Sequence, residues 1–198
     1  RAAVNADVAK TTRGMISDLL APGSVAADML SILVNALWTR ARWITEFDPE
    51  LTRVRPFRTP ATTKRTALMH RTGQMPYAET DGWRMVSLHA HDELAVDVLL
   101  PPGAAPSAPL TAPLLTALHR GAHHTRVELA LPRFDLTHQR DLTPVLAAAG
   151  ANTLFTDAAD LSGVSTAPLR VDAVVHQARL RVDEKGAEGA AATAVMMA

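Results

Sequence analysis

The chain has 198 residues, 47% of them hydrophobic and 20% charged, which fits one domain or part of one and excludes global disorder. Twenty basic residues balance twenty acidic ones, so no general attraction to nucleic acid or to an anionic membrane is built in. There is no cysteine, which removes disulfides, thiolate metal ligands and cysteine nucleophiles together, and no apolar run approaches the length of a membrane-spanning helix.

The first residue is Arg1, with no signal-peptide pattern before it, and we expect the true N-terminus to lie upstream. Val4 and Val8 have helical spacing, broken at Gly14. Met15, Ile16, Leu19 and Leu20 predict a short second helix, stopped by Pro22 and Gly23. "MLSILVNALW" is a continuous apolar run of strand length, suited to burial on both faces. Asn35 interrupts it, and a buried Asn needs partners, so we expect it in a polar network. The next forty residues mix short extended pieces with loops.

"RMVSLHAHDELAVDVLLPP" predicts two strands with "HDE" as the turn, and "PPGAAPSAPLTAP" a Pro-rich loop. "LLTALHRGAHHTR" is a short helix, and "RVELALPRFDLT" a strand with Val127, Leu129 and Leu131 on one face. "DLTPVLAAAGANTLF" reads as a helix with Asp141 as N-cap, Pro144 in the first turn and Gly150 at its end. "PLRVDAVVHQARLRVDE" is a long strand. The final "RVDEKGAEGAAATAVMMA" has helical propensity but no polar face to set against an apolar one. No internal repeat is present, and strands outnumber helices, so the fold class is α+β.

Eight histidines raise the question of a metal. His119 and His123 are four apart, but Gly121 lies between them and no HExxH motif forms, while His89 and His91 share only a strand face. Solvated loop and edge histidines are the better reading. There is no GxSxG, GxGxxG or GxxxxGK[ST], so we expect no catalytic residue, no metal and no cofactor. His176 differs, because it sits inside the apolar "AVVHQARL", where a histidine must be satisfied by a hydrogen bond.

In sum these segments resemble the serpin family over nearly the whole chain. "LVNALWTRARWITEFDPELTRVRPF" is similar to the serpin run in which a strand bearing an Asn leads to Trp, Phe, Thr and Phe, here Asn35, Trp43, Phe47, Thr52 and Phe57. "ALMHRTGQMPYAE" follows with Met69, Gly73 and Tyr77. "VELALPRFDLTHQRDLTPVLAAAGANTLFTDAADLSGVS" keeps the Leu-Pro-basic-Phe, Asp-Leu, Gly, Phe and Ala-Asp-Leu-Ser-Gly landmarks in order. "VVHQARLRVDEKGAEGAAATAV" resembles the strand that enters the reactive-centre loop. The chain departs from the family at Leu88-His89-Ala90, where Leu-Pro-Tyr is usual, at Ala187 in place of Thr, and at Arg40-Ala41-Arg42-Trp43 in place of Lys-Gly-x-Trp.

The resemblance implies a single partial serpin domain over residues 1–198. It starts near the end of the helix that crosses the main sheet and stops inside the reactive-loop hinge at 184–198, with the scissile bond beyond Ala198. It implies a serine protease inhibitor, not an enzyme. A target protease cleaves the loop and is held as an acyl-enzyme while the loop inserts as a new strand; serpin loop insertion is itself the standing example of such strand addition. The hinge must first be mobile, which Gly186 and Gly189 favour, with Glu188 preferring solvent. It must then enter a sheet, placing Ala187, Gly189, Ala191 and Thr193 on one face, toward a closing core, and Glu188, Ala190 and Ala192 on the other. Asn35 and His176 match a polar gate under the sheet, and Trp43, Arg133 and Glu184 match the point where insertion begins, although Arg133 and Glu184 also read as an ordinary surface pair. The implied partner is a protease of serine type, with a cysteine protease as the alternative. The implied setting is an extracellular monomer with no nucleic-acid or membrane partner. The competing readings are a non-inhibitory carrier or chaperone of the same family, an inactive truncated product, and, last, an unrelated enzyme using the histidines at 119–124.

Overall fold

The computed structural model describes every residue except 27–28, 60 and 104–108. The middle of the Pro-rich loop therefore lies outside the described residues. Helix α1 (Ala2–Thr11) is followed by strand β1 (Ser31–Arg42), a 3₁₀ turn at Pro49–Leu51, and strands β2 (Arg53–Arg58), β3 (Thr63–Thr80), β4 (Trp83–His89) and β5 (Ala95–Leu100). Helix α2 (Ala112–Gly121), strands β6 (His123–Pro132) and β7 (Phe134–Asp141), short helix α3 (Thr143–Leu146) and the long strands β8 (Val171–Asp183) and β9 (Gly186–Met197) complete the order. The class is mixed α+β, as expected, with one sheet ordered β1-β9-β8-β7 and a second ordered β2-β3-β4-β5 with β6 paired to β3. No helix among the described residues is long and apolar enough to cross a membrane.

The chain forms two compact units. One comprises 1–39, 135–180 and 188–198, the other 40–134 and 181–187, so β1, β8 and β9 contribute residues to both.

In the first unit, Val8 of α1 packs with Ile16, Leu19 and Leu20 over Ala190, Ala192, Ala194 and Met196 of β9. The second helix predicted at Met15–Leu20 does not form. Arg13 and Gly14 take left-handed φ values of 52° and 79°, which end the helical path. Beyond them the side chains of Asn5 and Thr12 replace the missing helical bonds. Asn5 Nδ2 donates to Leu20 O (3.0 Å), Leu20 N donates to Asn5 Oδ1 (2.9 Å), and Ile16 N donates to Thr12 Oγ1 (3.1 Å). The apolar positions are buried by an irregular strap pinned at both ends. A second cluster joins Val171, Val174 and Met197 to Leu142, Leu146 and Phe155. The helix predicted from Asp141 is broken. After α3 the chain makes a π turn (Ala147–Ala151) containing Gly150 at φ 104°, then a 3₁₀ turn (Asn152–Phe155). Asp141 still accepts from Thr143 N at 2.9 Å, at the predicted start.

In the second unit, β3 is the spine. It pairs antiparallel with β2, β4 and β6, and Asp81–Gly82, both at positive φ, forms the two-residue hairpin turn into β4. Val127, Leu129 and Leu131 of β6 do share a face, packing toward Trp43, Phe47, Met69 and Met75. The predicted "HDE" turn is present, with Asp92 and Glu93 both left-handed. Helix α2 lays Leu114 and Leu118 against Trp83 and Met85. It is tied to β5 by His119 Nε2, which lies 2.7 Å from Asp97 Oδ2; Asp97 Oδ1 accepts from Ser87 Oγ at 2.5 Å.

Two outcomes follow from this packing. Leu19→Ala, at a fully buried position, is expected to cost about 2–5 kcal/mol in chemical denaturation. Burial pushes the Asp97 carboxyl up, but the bonds from Ser87 and His119 outweigh burial and hold it below its usual value. Its contribution is present above its unfolded pKa of about 3.9 and is lost as pH falls through the lower folded value. The gap in urea midpoint between wild type and Asp97→Asn is therefore expected to be wide at about pH 6 and to narrow at about pH 3.

Candidate functional site

The terminal segment forms strand β9 and not a helix. A two-residue turn at Glu184–Lys185 joins it to β8, with Lys185 N donating to Asp183 Oδ1 at 2.9 Å. Such a short connection requires antiparallel neighbours. On its other side, β9 runs antiparallel to β1: Leu30 N donates to Met197 O and Trp43 N to Lys185 O, each at 3.0 Å. β9 is therefore paired along both edges. Helical propensity is overridden because the segment lies between two neighbouring strands that offer its backbone ladder partners on both edges.

At the start of β9 the fit is tight enough to dictate the residue. A Cβ on Gly186 would lie 2.3 Å from Ala41 O and 3.1 Å from Arg42 Cα, both backbone atoms. Gly189 is less constrained: a Cβ there would meet only side chains, at 3.5 Å or more. Ala187 is buried beside Trp43 and Phe47.

The alternation of faces is as predicted, but the covered face is the opposite one. Ala190, Ala192 and Ala194 are buried beneath α1 and the strap, whereas Gly189, Ala191 and Thr193 are only half-buried. The reason is that α1 and the strap both pack on one side of the sheet in this unit. Glu188, expected to prefer solvent, is half-buried on the covered face, where Trp38 Nε1 donates to its Oε1 at 2.9 Å.

His176 is satisfied as expected of a strand histidine. Its Nδ1 lies 2.8 Å from Thr193 Oγ1, directly across the hairpin on β9. Asn35 departs from expectation. It is exposed on β1, on the face shared by Gly189 and Thr193, and it makes no side-chain hydrogen bond among the described residues. The polar network expected around it is not formed among the described residues, where that face of β1 is exposed.

Trp43, Arg133 and Glu184 do come together, in the second unit. Trp43 is buried and donates from Nε1 to Asp183 O at 3.0 Å. Glu184 is only 7% exposed, so this is no surface pair, although the Arg133 side chain is 53% exposed. Glu184 Oε1 accepts from Arg133 Nη1 at 3.5 Å and, more closely, from Thr52 Oγ1 at 2.8 Å, while its backbone O accepts from Phe47 N at 2.9 Å. Sequence reasoning identified Thr52 only as a landmark and missed both it and Trp38 as partners of the hinge. The one available signal was chemical: an indole N–H in an apolar strand must find an acceptor.

Among the described residues, no three His, Cys, Asp or Glu side chains are grouped to hold a metal. His119 is bonded to Asp97, and His123 Nδ1 lies 3.1 Å from Gly121 O. What the site offers is a strand with small side chains, held between two others and anchored at its entry by a buried carboxylate.

The family model for serpins, described as serine protease inhibitors, matches residues 1–198. The protein Iris of Ixodes ricinus is 38% identical over 98% of this chain and 54% of its own length. Emu ovalbumin superposes with a TM-score of 0.92 at 27% identity, covering 99% of this chain and 54% of ovalbumin. The loop-inserted structure of a cleaved ovalbumin mutant gives 0.89 at 27% identity, over 98% of this chain and 54% of that one. The chain spans about half the length of the relatives it matches.

Thr52→Ala would leave the buried Glu184 carboxylate with Arg133 as its one remaining side-chain partner among the described residues. It is expected to cost about 1–3 kcal/mol in denaturant titrations, with Thr52→Ser close to wild type.

Proposed function

The chain belongs to the serpin family, and from that premise we propose that it forms the hinge-bearing part of a serine protease inhibitor that traps its target by inserting its reactive loop. The protease's serine attacks the scissile carbonyl, the amine half of the loop departs, and the loop remains attached as an ester. The freed segment then enters the main sheet as a strand before the ester is hydrolysed. The observation that supports this most is the seating of Gly186–Met197 between β1 and β8, with alanine or glycine at six of its seven positions before Thr193 and Glu188 at the seventh. Two ladders of about ten bonds in total, at about 1 kcal/mol net each, would favour insertion by on the order of 10 kcal/mol. That is comparable to the stability of a whole domain, so the uninserted state must be metastable.

In this reading Gly186 is a position where the backbone of β1 leaves no room for a side chain, and Trp43, Arg133 and Glu184 form the entry point. Asn35 and His176 belong to the gate, with His176 bonding to Thr193 once the strand is in place. A carrier or chaperone role within the family is the weaker reading, because small hinge residues suit insertion and bulky or charged ones would be tolerated without it. The partner is a protease, of serine type, met by a monomer outside the cell.

The test is Ala187→Arg in the full-length protein. Ala187 is buried beside Trp43 and Phe47, and a guanidinium there would be desolvated without a designed partner. The stoichiometry of inhibition is expected to rise from near one to well above it as cleavage outruns insertion, with Ala187→Thr unaffected. Covalent complex at near one to one from the Arg variant would sink the insertion reading.

A further inference from the structure

Glu188 is the one long charged side chain in the hinge between Gly186 and Thr193, and its surroundings are specific. Its Oε1 accepts from Trp38 Nε1–H at 2.9 Å. The Arg13 guanidinium carbon lies 3.7 Å from the centroid of the Trp38 ring. Arg13 is held there by its backbone: it takes a φ of 52°, which non-glycine residues adopt at a cost, and Gly14 follows at 79° with its N donating to Ala9 O at 2.7 Å. On the other side of β9, Arg179 is fixed by a two-pronged bond to Asp135 at 2.8 and 2.7 Å and donates to Met15 O at 3.2 Å. Its guanidinium is kept charged first by Asp135 and, more weakly, by Glu188.

A cation on the face of an indole and a carboxylate on its N–H polarise the ring in the same direction, so each contact strengthens the other. A half-buried carboxylate without a donor would oppose insertion. Here the indole supplies the donor and Arg13 the charge. Trp38 lies on β1, so the contact requires β9 to be paired beside it; while the segment is a loop, Glu188 is solvated and the contact is not made.

We propose that Arg13, Trp38 and Glu188 form a latch that recognises the hinge strand only once it lies in the sheet. The inference rests on the loop-insertion reading of the preceding section. An interaction made in one state alone shifts the equilibrium toward that state, so the latch adds to the drive for insertion and to the retention of the strand. Glu188 is thereby a positioning residue: it keeps the loop soluble before cleavage and becomes a specific contact afterwards.

The experiment uses the full-length protein, intact and after nicking of its loop by a protease that it does not trap. Guanidinium midpoints are measured for wild type, Trp38→Phe, Glu188→Ala and the double variant. Glu188→Ala lies in the exposed loop of the intact form, so it keeps the test valid if Trp38→Phe folds poorly. The nicked form of each single variant is expected to lose about 0.2–0.5 M in midpoint while the intact form of Glu188→Ala is unchanged, and the double variant to lose no more than the larger single loss. Equal losses in intact and nicked forms, or additive losses in the double variant, would overturn the latch and leave insertion standing. If nicking does not raise the wild-type midpoint at all, the insertion reading fails and the latch fails with it.

Discussion

Strand β9 has neighbours on both edges, and the rest of the arrangement depends on that. A strand so placed must offer a complete backbone ladder on each side and, on its covered face, side chains that the packing can accept. The terminal segment meets both conditions. It contains no proline, so no donor is missing from either ladder. Its residues from Gly186 to Thr193 are small except Glu188, and at Gly186 even a methyl group would collide with the backbone of β1. Intrinsic preference is a weak opponent: the helix-to-strand scales differ by no more than about 1 kcal/mol per residue, and for glycine they do not favour helix at all.

The polar groups along the hinge obey the same constraint. Three of them would be costly to desolvate, and each finds a partner. Glu184 takes Thr52 and Arg133, Glu188 takes the Trp38 indole, and Thr193 takes His176. In each case the partner is a side chain from another strand or from the loop leading into one, so the bonds tie segments that are distant in sequence. A hydrogen bond of this kind contributes little net energy on its own, but its absence would leave a buried group unsatisfied. The polar contacts therefore act mainly on register: slipping β9 by one residue would send Glu188 to the opposite face, away from Trp38, and separate Thr193 from His176.

Much of this was legible in the sequence, for physical reasons that also mark the limit. The strands at 31–42 and 171–183, the hairpin turn at Asp92–Glu93 and the shared face of Val127, Leu129 and Leu131 follow from local pattern, and local pattern decided them. The helix predicted at Met15–Leu20 failed because its apolar residues are equally well buried by a strap, and the bonds that pin the strap come from Asn5 and Thr12, side chains whose partners no periodicity reveals. The helix from Asp141 loosens into a π turn after Leu146, but its path stops at Gly150 as expected, where φ is 104°. Resemblance brought Trp43, Arg133 and Glu184 together, but it did not reveal that Thr52 is the closer partner of Glu184. It gave no role to Trp38 or Arg13, since the Trp38–Glu188 pairing spans 150 residues and leaves no mark on either segment alone.

Asn35 and the leucines beside it show why a strand's burial is not a property of its own sequence. "SILVNALW" is apolar on both faces, which codes for two-sided burial. In this chain one face is covered: Ile32, Ala36 and Trp38 pack toward α1 and the strap. The other presents Leu33 and Leu37, 52% and 62% exposed, with Asn35 between them. Across the same face lie Thr193 and His176, bonded to each other. Among the described residues, the amide without a side-chain partner and the exposed leucines thus share a cause, the open side of one sheet, and the amide lies on the same face as the bonded Thr193–His176 pair. Covering that face would bury the leucines and make a partner for Asn35 obligatory at the same step, so apolar packing and polar pairing at the centre of this sheet are coupled through a single residue.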